Sequence, residues 1–345
     1  MENDRLYLSL RNKLCEMIYE GLYKEDENIP PERALAEELG VSRVTVRKAL
    51  HLLEKDGIIE RVQGSGTQIR LRKSSYQGTM DLIALVAPAQ KPFFAAFIDQ
   101  FQKKSDQNDS LVLFMQNPKE EKVEDSLFKL FQKNIRNAVV WLEDLELNSE
   151  KLRRLRGLGM NIVFFDIGAS SPYADCVSLD NEDAVQTLYR FLGEKGMQVI
   201  TYIGWDNFNL SSIKARESCF KALCSEDDKI FHVAWKDKKQ LYQQLQAYMT
   251  ALKKERELPE AIVCGDGELG IALKRVCLDH AIDAVTIVSI DDFEEAEQLA
   301  LSVYRQSFEE LADKVYNCLL KQNNENTRWQ AAVYLVKGTL IKRGN

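Results

Sequence analysis

The chain has 345 residues, of which 45% are hydrophobic, and its 46 Lys or Arg against 53 Asp or Glu give a formal net charge of −7. That much apolar material suffices for a small domain followed by a second domain of about 270 residues. An acidic chain repels nucleic acid as a whole, so a DNA-binding function requires a local concentration of cations.

No targeting or membrane segment is visible in the sequence. The N-terminus, MENDRLYLSL, is charged and lacks the apolar core of a signal peptide. No stretch approaches the roughly 18 apolar residues of a membrane span. We therefore expect a cytoplasmic protein without a membrane partner.

Residue types that carry metal or catalytic chemistry are sparse. The seven cysteines are scattered without a CxxC pair, and the three histidines lie far apart, so we expect free buried thiols and no metal site. A phosphate-binding loop, a GxSxG elbow and an HExxH helix are also missing. The sequence predicts no cofactor and no enzyme activity, because no nucleophile and base are apparent at strand ends.

The first strong pattern lies between Pro31 and Thr67. Pro31 can occupy the first position of a helix, where its missing N–H would have no partner, and Gly40 ends that helix. Ser42 is a good N-cap for a second helix, whose apolar stripe would pack on the first. The pair of helices has the arrangement of a helix-turn-helix.

The second helix carries its polar residues on one side. Arg43, Thr45, Arg47 and Lys48 are expected to face outward, opposite the apolar stripe. In a helix-turn-helix, the N-terminal residues of the second helix meet base edges in the major groove. We expect Arg43 and Arg47 in particular to contact DNA.

A glycine-tipped hairpin follows this helix. Residues 58–62 and 67–71 are predicted to be strands around a turn at 63–66. The glycines allow the tip to approach a phosphate backbone closely, where backbone N–H groups can donate hydrogen bonds.

The segments ER, LGVSRVTVRKAL, GII and QGSGT, in this order and spacing, resemble the winged helix-turn-helix of the GntR family of bacterial repressors over about residues 5 to 70. An isolated arginine usually only solvates a helix face, but the clustering favours DNA contacts. The resemblance implies that the following residues touch phosphates or bases: Arg33, Ser42, Arg43, Thr45, Arg47, Gln63 and Gly64.

Local charge agrees with this interpretation. Residues 40–73 hold eight Lys or Arg against three Asp or Glu, a balance of +5, whereas residues 1–39 hold five against ten, a balance of −5. With few phosphate contacts in each subunit, affinity should depend on two subunits binding together and should fall steeply with salt.

A short polar stretch around Ser74, Ser75 and Gly78 indicates a linker. We accordingly divide the chain into a winged-helix DNA-binding domain at 1–70, a linker at 71–80 and a second domain at 81–345.

The second domain alternates strand-length apolar runs with amphipathic helical stretches. This pattern is typical of parallel α/β sheets with helices on both faces, and nine runs suggest two sheets. Ligands bind outside the carboxyl ends of such strands. The runs are 82–87, 111–115, 138–142, 162–165, 199–203, 230–234, 261–264, 285–290 and 299–303.

Several of these segments resemble the LacI/GalR effector domain, which has the periplasmic sugar-binding fold. The resemblance is carried by IALVAPAQKPFFAAFIDQF, NIVFFDI, YIGWDNFNLSSIKARESCFKAL, AIVCGDGELGIALKRV and IVSIDDF. The whole chain resembles the arabinose-type repressors, which join a GntR-like head to a LacI-like sensor. The implied fold is an α+β winged helix-turn-helix domain followed by a two-lobed α/β domain with parallel sheets.

The LacI resemblance implies a set of residues that contact a small-molecule effector. An arginine and carboxylates can bind adjacent sugar hydroxyls, and an aromatic ring can cover a sugar's C–H face. The expected effector-binding residues are Phe93, Phe94, Asp166, Arg216, Trp235 and Asp266.

Each of these residues also has a purely structural alternative. Arg216 could be a surface charge on a helix, and Asp266 could be only an N-cap. Trp235 and Phe94 could be core residues, and Asp166 could simply close a turn.

Together the patterns predict a homodimeric repressor that binds double-stranded operator DNA under control of a sugar effector. Effector is expected to close two lobes that are joined near residues 166, 292 and 325, and so to change the separation of the heads. The alternatives are a regulator that senses a non-sugar metabolite, a second domain used only for dimerisation or protein interaction, and an enzyme that uses the α/β half with the DNA head as an accessory. Activation, or repression that needs a corepressor, also stays open.

Overall fold

The computed structural model describes residues 2–71, 80–87, 92–117, 121–141, 147–167, 171–224, 229–325 and 328–344, without the side chains of 2–5 and 92–94. The chain forms two compact units. Unit 1 comprises Met1–Phe165, Ser170–Val177 and Ala312–Tyr334; unit 2 comprises Asp166–Ala169, Ser178–Leu311 and Leu335–Asn345.

The N-terminal part of unit 1, residues 2–71, is called the head. Its three strands pair antiparallel in the order β1-β3-β2, and Leu14, Ile18, Val46 and Leu53 are buried between its helices and sheet. The elements are α1 Glu2–Glu20, β1 Asn28–Ile29, α2 Glu32–Glu38, α3 Arg43–Lys55, β2 Ile59–Val62 and β3 Gly66–Ile69.

The local signals of the head act as the sequence predicts. The backbone of Gly40 has φ +65°, a left-handed conformation that glycine adopts at little cost, just after α2. The side chain of Ser42 caps α3 by accepting a hydrogen bond from the backbone N–H of Thr45 at 3.1 Å. Pro31 is the N-cap residue of α2 rather than its first helical residue.

The rest of unit 1 is called the first lobe. Its sheet has the strand order β14-β8-β7-β6-β4-β5. The strands are β4 Leu82–Ala87, β5 Leu111–Gln116, β6 Asn137–Val140, β7 Asn161–Phe165, β8 Asp175–Leu179 and β14 Val333–Val336; the helices are α4 Pro92–Asp106, α5 Val123–Gln132, α6 Ser149–Gly157 and α12 Phe308–Glu325.

Unit 2 has a sheet of strand order β10-β9-β11-β12-β13-β15, parallel except that β15 runs antiparallel to β13. The strands are β9 Ile200–Trp205, β10 Lys229–Val233, β11 Ala261–Cys264, β12 Thr286–Ile290, β13 Ser302–Arg305 and β15 Thr339–Ile341. The helices are α7 Asn181–Glu194, α8 Ser211–Leu223, α9 Leu241–Glu255, α10 Gly267–Asp279, α11 Glu294–Gln298 and a 3-10 helix at Trp235–Gln240.

The predicted fold class is confirmed: a winged head precedes an α/β domain with two sheets. Each of the nine apolar runs overlaps a strand. The prediction missed β8, β14 and β15, which are short and carry less continuous apolar sequence. At 299–303 the strand begins only at Ser302, because Leu299 caps α11 and Ala300 turns the chain with φ +52°.

The predicted exchange point near residue 292 is wrong. The chain passes between the units at 165/166, 169/170, 177/178, 311/312 and 334/335. Residues 291–305 instead stay in unit 2, where β13 pairs with β12 in the same sheet and α11 connects the two strands. The exchange point predicted near residue 325 is wrong as well, because α12 ends there within unit 1. The two compact units do not separate the head from the first lobe, so the domain boundaries at 70 and 80 stay predictions.

Among the described residues, no helix is both long and apolar enough to cross a membrane.

Aromatic packing holds α8 on the sheet of unit 2. Phe220 of α8 is fully buried, and its ring contacts those of Tyr202 and Tyr189 at centroid distances of 5.2 and 5.7 Å. Close packing leaves no room for relaxation around such a residue.

Phe220→Ala should therefore reduce the free energy of unfolding of unit 2 by about 3–5 kcal/mol, since it removes buried area and leaves a cavity. Urea unfolding followed by circular dichroism would measure the loss. Phe208→Ala is the matched control, because the side chain of Phe208 is 44% exposed. Equal losses in both variants would contradict the packing assigned to Phe220.

Candidate DNA-reading surface and effector site

Two cations are exposed on the face of α3 that the sequence assigns to DNA. The side chains of Arg43 and Arg47 lie on the surface of the head. Gln63 is exposed at the tip of the β2–β3 hairpin. Gly64 has φ +80°, and among the described residues no atom lies within 4 Å of the position of a Cβ there. The recognition helix and wing therefore present donors on an open surface.

Carboxylates partner several of these cations in the absence of DNA. A guanidinium nitrogen of Arg47 lies 3.0 Å from a carboxylate oxygen of Glu32, and Arg61 lies 3.8 Å from the same side chain. The hydrogen bond to Glu32, followed by its charge, raises the pKa of Arg47. Arg33 pairs with Glu37 at 3.0 Å. Contact of Arg33 and Arg47 with DNA stays a prediction.

Thr45 departs from its predicted outward orientation. It is 4% exposed, and its hydroxyl lies 2.8 Å from that of Ser42. Since α3 begins at Arg43, Thr45 falls on the same side as Val46 and belongs to the capped first turn. Its outward orientation is therefore wrong, and its position gives no support to a base contact.

Val44 is the residue of this surface that the sequence reading missed. Its side chain is 62% exposed beside Arg43, although valine is usually assigned to the core. An apolar side chain there can contact a thymine methyl group in the major groove. The signal was the register of the helix: with Ser42 as N-cap, Val44 precedes Arg47 by about one turn.

Arg216 is not a surface charge. It lies on α8, is 7% exposed, and donates from Nε to Asn181 Oδ1 at 2.7 Å and from a terminal nitrogen to the Gly265 carbonyl at 2.6 Å. Gly265 follows β11, so the guanidinium is anchored at the carboxyl edge of the unit 2 sheet. A buried cation requires acceptors of this kind.

Asp266 combines the N-cap role with a place at the same edge. One carboxylate oxygen accepts from the backbone N–H of Leu269 at 2.9 Å, which caps α10, and the other accepts from the indole N–H of Trp205. Burial raises the pKa of Asp266 above its ordinary value, and these hydrogen bonds oppose that effect. The N-cap alternative is thus observed, and contact with an effector stays a prediction.

Asp291 was not selected from the sequence, yet it lies at this edge as well. It follows β12, is 7% exposed and accepts a hydrogen bond from the Gln306 amide at 2.5 Å. Burial raises the pKa of Asp291, whereas the charge of Arg216 and the Gln306 hydrogen bond lower it. The available signal was the pair of aspartates in IVSIDDF directly after an apolar strand.

Trp235 is half-buried beside Trp205, with the rings perpendicular and their centroids 5.4 Å apart. The ammonium of Lys238 lies 4.8 Å from the centre of the Trp235 ring and 4.9 Å from that of Trp205. Trp205 is 1% exposed and packs within unit 2. A cation over one face of Trp235 leaves less of the ring for a sugar.

Three predicted effector residues remain, Asp166, Phe93 and Phe94. Asp166 directly follows β7, is half-buried and has φ +54°. The side chains of Phe93 and Phe94 lie outside the described part of the chain. The structure therefore brings together Arg216, Asp266 and Trp235, through Gly265 and Trp205.

This edge offers a forked cation, two carboxylates and an indole. Such groups suit a neutral polyol, because the guanidinium donates and the carboxylates accept hydrogen bonds from hydroxyls. Within the described residues, no group of three or more His, Cys, Asp and Glu could hold a metal ion.

Family models match two parts of the sequence. Residues 6–69 match the model of bacterial regulatory proteins of the gntR family, and residues 189–344 match that of a periplasmic binding protein-like domain.

Two relatives extend these matches. An arabinose metabolism transcriptional repressor of Geobacillus stearothermophilus is 22% identical over 353 residues, covering 98% of this chain and 97% of that protein. A mannosyl-D-glycerate transport/metabolism system repressor of Escherichia coli strain K12 is 41% identical over 76 residues, which are 22% of this chain and 32% of that repressor.

Solved structures share the fold. The Lac repressor dimer bound to operator and the anti-inducer ONPF gives a TM-score of 0.63 at 14% identity, over 76% of this chain and 93% of that one. A periplasmic binding protein/LacI transcriptional regulator of Alkaliphilus metalliredigens QYMF, complexed with D-xylulofuranose, gives 0.60 at 16% identity, over 76% and 98%.

Arg216→Met should destabilise unit 2 by about 3 kcal/mol at pH 7, because it leaves the Asp291 carboxylate buried without its cation. The pKa of Asp291 is already raised by burial and should rise further in the variant. A carboxyl with a raised folded-state pKa costs stability as pH rises above about 3.9, the unfolded value. The loss should therefore shrink toward acidic pH.

Urea unfolding at pH 7 and at pH 5 would measure both effects. Arg190→Met, at an exposed arginine of α7, is the control and should change stability little. A loss of the same size at both pH values would contradict the assigned coupling of Arg216 to Asp291.

Proposed function

We propose that this chain, which joins a GntR-type winged head to a LacI-like periplasmic-binding-protein-like domain, is a sugar-responsive transcription repressor. The head binds operator DNA, and the second domain binds the effector. Relatives over the full length and over the head are named as repressors of sugar metabolism systems, which supports the same assignment.

One observation carries the effector side of the proposal. The guanidinium of Arg216 is buried at the carboxyl edge of the unit 2 sheet, next to Asp266 and Asp291. This edge is where open α/β sheets bind ligands. The groups match the hydroxyls of a sugar, and no hydrolytic nucleophile and base pair is needed to explain them. The protein acts as a regulator rather than an enzyme.

The DNA side rests on the exposed residues of α3 and of the wing. Arg43 and Arg47, with Val44 between them, read base edges; Arg33, Ser42, Gln63 and Gly64 contact the backbone. Phosphate contacts position the head, and base contacts specify the sequence. Because bacterial operator DNA lies in the cytoplasm, the protein works there.

The active species is a homodimer with two heads on a pseudo-palindromic operator. In support, β5 is the edge strand of the first-lobe sheet and carries exposed apolar residues. Leu111 is 66% exposed, Leu113 44% and Phe114 38%. An edge strand with apolar side chains is a surface for self-association.

Arg47→Ala should weaken specific operator binding by about 1–3 kcal/mol without unfolding the head, because it removes a base-reading donor. Fluorescence anisotropy at fixed salt, with an operator fragment selected from random DNA, would measure it. Arg275→Ala is the matched control: Arg275 is 53% exposed and pairs with Glu295 at 2.9 Å, much as Arg47 pairs with Glu32. Equal affinities of the Arg47 variant and the parent would remove Arg47 from the interface.

A thermal-shift screen tests the effector. At about 100 times its Kd, a sugar bound only by the native state adds about 2.7 kcal/mol, or roughly 5–10 °C in Tm. Sugars, sugar phosphates, polyols and nucleobases form the panel. Arg216→Lys keeps the charge but loses the planar fork, so it should lose most of the shift.

The results of the screen bear on the proposal as follows. A shift from one sugar that Arg216→Lys abolishes supports the proposal. An undiminished shift in that variant makes Arg216 structural. A response only to nucleobases, or to nothing in the panel, contradicts the sugar-sensing function.

A further inference from the structure

Side chains of helix α1 in the head contact helix α5 of the first lobe. Near the C-terminal end of α1, the ring of Tyr19 stacks on Phe128 at a centroid distance of 4.3 Å and an interplanar angle of 3°. The Tyr19 hydroxyl donates to Asp125 Oδ1 at 2.7 Å. Tyr19 is 1% exposed, so this contact belongs to a packed interface.

A network of charges surrounds this stack. The ammonium of Lys151 on α6 lies 2.8 Å from Asp125 Oδ1, 3.3 Å from Glu20 Oε1 and 4.6 Å from the centre of the Tyr19 ring. Next to it, Arg153 pairs with Glu25 of the head at 2.8 Å. Cations of α6 therefore meet the acidic segment in which α1 ends.

Backbone contacts between the head and the first lobe accompany these ion pairs. Arg154 donates to the backbone carbonyl of Tyr19 at 3.0 Å. Gly21 has φ +82°, and a Cβ there would come within 2.6 Å of the Arg154 guanidinium. A Cβ at Gly157, at the end of α6, would lie 2.6 Å from the Leu71 side chain. Glycines thus permit close approach at two separate points.

The middle of α1 connects the recognition helix to the lobe. Arg11 pairs at 2.5 Å with Asp56, the C-cap residue of α3, and its guanidinium lies 5.2 Å from the centre of the Phe131 ring on α5. Arg136 of the lobe lies 4.0 Å from the same ring. Side chains in contact therefore lead from α3 through α1 to α5.

We propose that the α5–α6 face of the first lobe is a docking site for the head of the same chain, and that docking fixes the orientation of the recognition helix. Arg43, Arg47 and Gln63 remain exposed in this arrangement, so the docked head can read DNA. Its role in operator binding rests on the proposed function; the docking itself does not.

The composition of this interface makes docking reversible. Most of its ion pairs are partly exposed, and such pairs contribute little individually and weaken with salt. The stacked rings and the buried Tyr19 hydroxyl supply the directional part. A short linker keeps the released head close to the lobe, so redocking requires no second molecule.

A carbodiimide that couples a carboxylate directly to an amine tests docking in the full-length protein. Lys151 and Glu20 are close enough to couple, which would join lobe to head. The product should be an intrachain amide, identified by mass spectrometry of the peptides. Lys129 and Glu121, 2.7 Å apart within the first lobe, supply the internal control.

Two conservative variants sharpen the test. Tyr19→Phe removes only the hydroxyl, and Arg153→Gln removes one ion pair with Glu25. Combined, they should lower the yield of the Lys151–Glu20 product by about fivefold or more while leaving the Lys129–Glu121 product unchanged. Absence of the head–lobe product when the control product forms, an unchanged yield in the double variant, or a product linking two chains would each overturn docking.

The functional half is measured with the selected operator fragment. The double variant should bind it about tenfold more weakly than the parent, because two heads without fixed orientation lose preorganisation. Its affinity for random-sequence DNA should not change. Unchanged operator affinity would overturn the orienting role. If no operator can be selected, the proposed function fails while the cross-link result stands by itself.

Discussion

The buried guanidinium of Arg216 is the interaction on which the carboxyl edge of the unit 2 sheet depends. A buried cation needs acceptors, and here they come from α7 through Asn181, from the end of β11 through Gly265, and by charge from Asp291. Burial works against the ionised carboxylates at the same edge. The charge of Arg216 therefore links the ends of β11 and β12 to helices α7 and α8. A ligand rich in hydroxyls can bind at this edge without adding charge.

The cations of the head are exposed rather than buried, in a protein that is acidic as a whole. Carboxylates of α2 pair with these cations: Glu32 partners both Arg47 and Arg61, and Glu37 partners Arg33. The fold can hold this arrangement because the Ser42 cap fixes where α3 begins. That register decides which side chains face outward, and it turns Thr45 inward and Val44 outward.

The sequence predicted what depends on local signals and apolar periodicity. Gly40, Ser42 and the wing glycines determine local backbone geometry, and the continuous apolar strands determine the two sheets. It could not predict β15, a three-residue edge strand, because such pairing depends on distant chain segments. The contact of Tyr19 with Asp125 was missed for the same reason, because the two residues are far apart in sequence. Asp291 was missed although its position directly after an apolar strand was a local signal; its pairing with Gln306 was not visible in the sequence. The outward orientation of Thr45 was wrong because it was assigned from residue type alone, without applying the register that the Ser42 cap sets.

The partnered state of Arg47 bears on why two heads are needed. In the proposed complex with DNA, a phosphate or base edge replaces Glu32 as the partner of Arg47. Glu32 is covalently tethered beside the guanidinium and so competes at a high effective concentration. The net free energy that each arginine contributes is the difference between its interaction with DNA and its interaction with the carboxylate. This difference is smaller than the interaction with DNA alone. A single head therefore gains little, while a second head on the same operator binds as an intramolecular step. An interaction that fixes the orientation of the head, such as the proposed docking of α1 on the first lobe, then acts on the free energy gained when both heads bind one operator. That gain is larger than the gain from a single head.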